Sequence, residues 1–222
     1  MTDPYRYRRD QMVQLLEQRN IRDSRVLEAM RQVPRHAFVP DAMRSRAYGD
    51  HALPIGKGQT ISQPYIVARM TELLGLEPEH SVLEIGSGSG YQTAILARLV
   101  RRVYSLERVG ELARGAIVRM RELSLDNVKI QVFDGTVGWS EVAPFDRILV
   151  TAGAPGAPPP LIDQLKTGGL MLIPEGNLEL QRLIVYEKTP KGVHRSEGEG
   201  VVFVPLIGRH GWDREKAHGS DS

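Results

Sequence analysis

The sequence predicts an α/β fold: a mostly parallel sheet with helices on both faces, an N-terminal helical cap and C-terminal antiparallel or edge strands. Three observations carry this. A short apolar run, Val82 to Ile85, has the character of a buried parallel strand; it breaks at Gly86, Gly88 and Gly90 and continues as a helix over 91–99 with Ile95, Leu96 and Leu99 at helical spacing. Beyond it, apolar strands and amphipathic helices alternate. From residue 181 the pattern changes to short strands alone.

Taken in order, residues 5–19 predict a helix with Met12, Val13, Leu15 and Leu16 on its apolar side. Asp23 or Ser24 can cap a second helix, in which Val26, Leu27, Met30 and Val33 recur, and Pro34 ends it. Together they form a cap over 1–46. Residues 47–64 are rich in Gly and Pro yet carry Leu53, Ile55 and Ile61, which predicts a loop that packs on something, as lids and binding loops do. Ile66, Val67, Met70, Leu73 and Leu74 then repeat helically up to a stop at Gly75. After the glycine turn come strand 102–106, helix 110–123, strands 128–132 and 145–150, a rigid Pro-rich loop at 154–160, a short helix at 161–166, a Gly168-Gly169 turn and strand 170–173. Strands 183–187 and 200–206 complete the sheet, so that 65–212 forms the sheet core of a single domain spanning 1–212, and 213–222 is a polar tail.

Composition narrows the function classes. A chain of 222 residues suffices for one well-cored domain, and 41% hydrophobic with 25% charged residues is ordinary for a soluble globular protein. A net charge of +2, with Arg6, Arg8 and Arg9 read as a solvated helix start, points to neither nucleic acid nor membrane. Scattered aromatics offer no stacking platform for RNA. The absence of cysteine excludes disulfides, zinc–thiolate sites and thiol nucleophiles. No compact carboxylate cluster suggests a metal. With no apolar run of membrane length and no signal-peptide core, the expected compartment is the cytoplasm.

Open α/β sheets bind ligands at the carboxyl ends of their strands, which directs attention to the turns there. At the glycine turn, missing Cβ atoms let backbone and ligand approach closely. The Gly86-x-Gly88-x-Gly90 spacing departs from the G-x-G-x-x-G of dinucleotide folds, which counts against an NAD-dependent oxidoreductase. Glu84, inside the strand before the turn, suits a ligand bearing an amino group and no phosphate, such as the methionine end of S-adenosylmethionine. Glu107 follows the next strand about 20 residues after the turn begins, where an acid accepts hydrogen bonds from ribose hydroxyls; its bland reading is a solvated loop carboxylate. Asp134-Gly135 follows strand 128–132 and reads equally as an adenine contact or a plain Asp-Gly turn. On local sequence alone Ser62 reads first as a helix N-cap.

Several separated blocks resemble one family, the protein-L-isoaspartate O-methyltransferases. They are Val33 to Pro40, Ala47 to Ile66 with Leu53-Pro54-Ile55-Gly56 and Gln59-Thr60-Ile61-Ser62-Gln63-Pro64, Val82 to Gln92, Ala143 to Asp146, Gln164 to Gly169, and Phe203-Val204-Pro205-Leu206. The glycine turn is general among methyltransferases, whereas the Gln59–Pro64 and Phe203–Leu206 blocks are specific to this family. Ser87 and Phe133 stand where many members carry Thr and Gly, and neither removes a functional group. The resemblance implies a Rossmann-like S-adenosylmethionine-dependent methyltransferase fold. It implies Ser62 as the active-site serine, and Glu84, Gly86, Gly88 and Gly90 around the methionine part of the cofactor. Glu107 falls at the ribose, Asp134 and Gly135 at the adenine, with Gln59, Thr60 and Ile61 also on the cofactor side. Leu53, Ile61, Val204, Pro205 and Leu206 fall on the substrate side, where the backbone of 204–206 would pair with an extended peptide.

The implied reaction is methylation of the free α-carboxylate of L-isoaspartyl residues in damaged proteins and peptides, the start of protein repair, with S-adenosyl-L-homocysteine as by-product. A carboxylate with a pKa of about 3.5 is ionised at neutral pH, so no general base is needed, and Asp50 and His51 remain loop residues. A monomer without metal, nucleic acid or membrane partners is the expectation. The competing readings are an inactive or RNA-associated S-adenosylmethionine-binding protein and the oxidoreductase already mentioned.

Overall fold

In the computed structural model, which describes residues 3–213, local sequence sets the cap first. Helix α1 (Arg6–Gln18) buries Met12, Val13 and Leu16 while Leu15 faces outward, and α2 (Ser24–Gln32) buries Val26, Leu27 and Met30. Asp23, not Ser24, caps α2: its side chain accepts from the Arg25 amide at 2.8 Å. Two short 3-10 turns over 35–38 and 41–46 follow.

The expected loop at 47–64 contains a hairpin, β1 (Leu53–Gly56) against β2 (Gln59–Ile61). Its turn residues Lys57 and Gly58 both take left-handed backbone, φ 55° and 68°, the conformation of a two-residue hairpin turn whose twist matches its strands. Helix α3 (Pro64–Leu73) starts on a proline, whose missing N–H costs nothing at that position.

The central sheet holds β3 (Ser81–Ile85), β4 (Arg102–Glu107), β5 (Val128–Val132), β6 (Phe145–Val150), β7 (Leu165–Gly176), β8 (Gln181–Thr189) and β9 (Gly192–Val201) in the order β5-β4-β3-β6-β7-β8-β9. The pairs from β5 through β7 are parallel, and β8 and β9 add antiparallel strands. Chain direction across the sheet reverses between β3 and β6, so the crevice beyond the end of β3 is the switch point where such sheets take ligands. Alternation in β3 divides the core. Val82 faces a cluster with α1, α2, α3 and α4 (Tyr91–Ala97) and with Met120 of α5 (Gly110–Glu122). Leu83 and Ile85 face the opposite layer, with Trp139, Phe145 and Leu161 of α6 (Pro159–Asp163).

Two expectations near the C-terminus are corrected. Helix α6 ends at Asp163, so β7 begins at Leu165 and absorbs Gly168-Gly169 as an irregularity in its pairing with β6. Gly169 has backbone oxygens of Lys166 and Asp146 within 2.9 Å of where a Cβ would stand, which explains a glycine inside the strand. The strand expected at 200–206 lies earlier. β9 runs through a charged, exposed stretch without apolar alternation, as edge strands do, and the chain leaves the sheet after Val201. Pro205, lacking an N–H, forms an isolated parallel bridge with Gly153.

Candidate active site

At the end of β3 the glycine turn is built for close approach. Gly86 has φ 96°, and a Cβ there would stand 2.6 Å from Thr151 Oγ1, whose hydroxyl donates toward the Ile85 and Gly86 carbonyls at 2.9 and 2.7 Å. Gly88 donates its amide to Glu107 Oε2 at 2.8 Å, and Val109 donates to Oε1 at the same distance. Glu107 is thus held at the mouth of the turn, with lone pairs on both oxygens left for further donors. Gly90, also left-handed, serves packing: a Cβ would press on Met120 and Ala116 of α5 at 3.0 and 3.1 Å.

These groups line an open cleft of about 940 Å³, counting the space at its mouth. It brings together Gln59, Thr60, Ile61 and Ser62 from the hairpin side, Gly86 and Gly88 from the turn, Glu107 and Gly135 from neighbouring strand ends, and Val204, Pro205 and Leu206 from the C-terminal loop. The hairpin leans on the turn, since a Cβ at Gly88 would stand 3.3 Å from Ile55 Cδ1, and Lys57 Nζ reaches Glu111 Oε2 on α5 at 2.7 Å.

Glu84, Gly90, Asp134 and Leu53 do not line this cleft. Glu84 is fully buried; its Oε2 accepts from Thr93 Oγ1 at 2.5 Å and Ser105 Oγ at 2.6 Å, which ties β3 to α4 and β4. Burial pushes its carboxyl up to about 7, and Oε1 is left without a partner among the described residues. Asp134 fulfils its turn-forming alternative: Oδ1 accepts from the Thr136 amide and hydroxyl, and Oδ2 from the Arg209 amide at 2.8 Å. Its neighbour Gly135 lies against Ile85, where a Cβ would stand 2.3 Å from Ile85 Cγ2. Leu53 is 1% exposed and packs into the core opposite Ile61.

Ser62 does not cap α3. The residue before the helix is Gln63, and the capping oxygen comes from Asp50, whose carboxylate accepts from the Tyr65 amide and Gln63 Nε2, each at 3.0 Å, and pairs with Arg19. The Ser62 hydroxyl is therefore not committed to the helix, and the residue lines the cleft while its carbonyl is gripped by Arg35. Arg35, 0% exposed, donates from Nη2 to Ser62 O at 2.7 Å and from Nε to Ala47 O at 2.8 Å, so one guanidinium holds both ends of the 47–62 segment. It lies 4.8 Å from the centre of the Tyr91 ring. Burial draws the Arg35 pKa below its usual value and pushes the Tyr91 phenol up to about 12. The backbone of 204–206 is already engaged, because Gly153 donates to Val204 O and accepts from Leu206 N, each at 2.8 Å. Little of it is left to pair with an added strand.

The loop from Thr151, expected at a ligand-binding strand end because it follows strand 145–150, lines the cleft through Thr151 and Ala152. Sequence reasoning did not single out Arg35, and it left Asp50 as a loop residue. A charge inside the apolar run Val33–Val39 was the one available signal for Arg35. For Asp50 there was none, since the amide it caps lies 15 residues away.

The family model for protein-L-isoaspartate(D-aspartate) O-methyltransferase matches residues 7–211 of this chain. Protein-L-isoaspartate O-methyltransferase 2 of Pelobacter propionicus is 56% identical over 209 residues, 93% of either chain. Protein-L-isoaspartate O-methyltransferase 1 of Syntrophobacter fumaroxidans is 52% identical over 206 residues, 92% of this chain and 96% of that one. A solved Plasmodium falciparum structure, described as a protein-L-isoaspartate O-methyltransferase in complex with S-adenosyl-L-homocysteine, superposes with a TM-score of 0.79 at 29% identity, covering 90% of this chain and 98% of that one.

Proposed function

The chain belongs to the protein-L-isoaspartate(D-aspartate) O-methyltransferase family, and on that premise we propose that it moves a methyl group from S-adenosylmethionine to the free α-carboxylate of an L-isoaspartyl residue in a protein or peptide. The observation that carries this reading is the Ser62 hydroxyl, uncommitted to its helix, in one cleft with the Gly86–Gly88 turn and Glu107.

The residues present fit the cofactor. A Cβ at Gly86 or Gly88 would meet Thr151 or Ile55, so the glycines leave bare backbone at the cleft floor, and the fixed Glu107 carboxylate can accept from paired hydroxyls. When bound, S-adenosylmethionine supplies an electrophilic methyl carbon on a sulfonium sulfur. Everything else falls to the chain. Gly86 and Gly88 would admit the cofactor's amino-acid end, Glu107 would take its ribose hydroxyls, and Gly135 and Val109, which line the same cleft, would border its base. Glu84 then acts from beneath the turn, by holding β3, β4 and α4 together.

The acceptor is already an anion at neutral pH, so no side chain must remove a proton. Ser62 would donate its hydroxyl to one oxygen of the acceptor carboxylate and fix its orientation, without becoming a nucleophile. Arg35 fixes the Ser62 main chain so that this hydroxyl is presented at a set place. The β1–β2 hairpin stands over the turn, with Ile55 against Gly88. In-line positioning of this kind supplies about 7–11 kcal/mol in favourable cases.

The test is incubation with tritiated S-adenosylmethionine and paired peptides that differ only in Asp or isoAsp at one position. Base-labile label on the isoAsp peptide alone is the expected result. Binding of S-adenosyl-L-homocysteine with no label on either peptide overturns the acceptor. The same reading has a monomer acting on damaged cytoplasmic proteins within one domain over 1–212, and a light-scattering mass of one chain tests the oligomeric part.

A further inference from the structure

A second groove of about 850 Å³, counting its open mouth, runs beside the cleft and shares Thr60, Ser62 and Phe203 with it. Its walls come from the hairpin and α3 on one side and from the entry of β8 and the exit of β9 on the other. None of its lining residues carries a formal charge. Its outer rim is apolar and unused by the fold: Val202 is 73% and Leu180 57% exposed. Both line this groove, Leu180 just before β8 begins and Val202 just after β9 ends, next to the Gln181–Val201 pair that joins the two strands. Leu180 also reaches over Gly200, 3.6 Å from where a Cβ would be. Exposed apolar side chains in one place beside a site mark a binding surface, whereas scattered single ones do not.

We propose that this groove takes an apolar side chain next to the isoaspartyl residue in the substrate chain, so that Leu180 and Val202 determine sequence preference. The inference rests on the reading that Ser62 receives an isoaspartyl carboxylate. The α-carbon bearing that carboxylate also bears the peptide nitrogen, so the chain must leave the cleft beside Ser62, where the groove opens. An apolar neighbour exchanges water for the Leu180–Val202 rim. An acidic neighbour loses hydration there and finds no cation among the lining residues.

The test uses three isoaspartyl peptides with Leu, Gly or Asp at the neighbouring position, in one series before and one series after the isoaspartate. The readout is the ratio of kcat/KM for Leu over Gly peptides within each protein. The wild type gives a ratio of about ten in one of the two series, carried by KM, with the Asp peptide poorest. Val202→Asp brings the ratio to about one or below, and Leu180→Ala gives an intermediate value. Because the ratio is taken within one protein, partial loss of folded enzyme cancels. Equal wild-type values for all three peptides in both series, or an unchanged ratio in Val202→Asp, overturns the proposal. If no isoaspartyl peptide is methylated, the proposed activity fails separately. The same ratio is then read as Kd by calorimetry with S-adenosyl-L-homocysteine present, and equal Kd values for the Leu and Gly peptides overturn the groove.

Discussion

Ser62 and Glu107 line the same cleft, yet each commits its side chain differently. Both Glu107 oxygens already accept a backbone amide, so Glu107 supports the turn as well as any ligand. Glu107→Ala removes two charge-assisted hydrogen bonds of about 1.5–3 kcal/mol each together with the ligand's acceptor. Binding of S-adenosyl-L-homocysteine, measured by calorimetry, is expected to weaken by about tenfold to a hundredfold. The Ser62 hydroxyl has no such structural duty, which separates its two sequence readings. If it orients the acceptor, Ser62→Ala lowers kcat/KM for an isoaspartyl peptide by about tenfold to a hundredfold and leaves both Tm and cofactor affinity where they were. A fall in Tm with activity intact would restore the helix-cap reading.

At the scale of elements, three residues hold the active-site segment. Arg35 grips its two ends, Ile55 rests near the glycine turn, and Asp50 caps the helix that follows. Asp50→Ala leaves the Tyr65 amide without its acceptor and Arg19 without its partner. The loss of a cap costs about 1–2 kcal/mol, which for a chain of this size lowers Tm by about 3–6 °C. Thermal melts of Asp50→Ala and Ser62→Ala side by side decide which residue caps α3. The ion pair between Lys57 and Glu111 at the hairpin tip is exposed on both sides and adds little to this hold.

For the whole molecule, the consequential buried charge is Glu84. Burial raises its carboxyl from 4.5 to about 7 in the folded protein, so between those values the folded state holds a proton that the unfolded state has released. Stability from this group is complete below pH 4.5 and is lost as pH rises through 7, a swing on the order of 3 kcal/mol. Glu84→Gln keeps an acceptor for Thr93 and Ser105 without the titration. Its Tm relative to wild type should therefore rise between pH 5 and pH 8; a constant difference would mean that the carboxyl titrates normally in the fold. The alternation of strands and helices, the glycine turn and the place of the cleft were legible in the sequence, because each is written in the spacing of neighbouring residues. The charged edge strand β9 escaped that reading, since a strand exposed to water needs no apolar period. So did the partners of the polar groups. That Glu84 turns inward to Thr93 and Ser105, that Asp134 turns to Thr136 and Arg209, that Asp50 replaces Ser62 as a cap, and that Arg35 joins Ala47 to Ser62 were decided by tertiary structure alone. Periodicity is a local property of the chain, whereas a hydrogen-bond partner is whatever distant segment folding brings within about 3 Å.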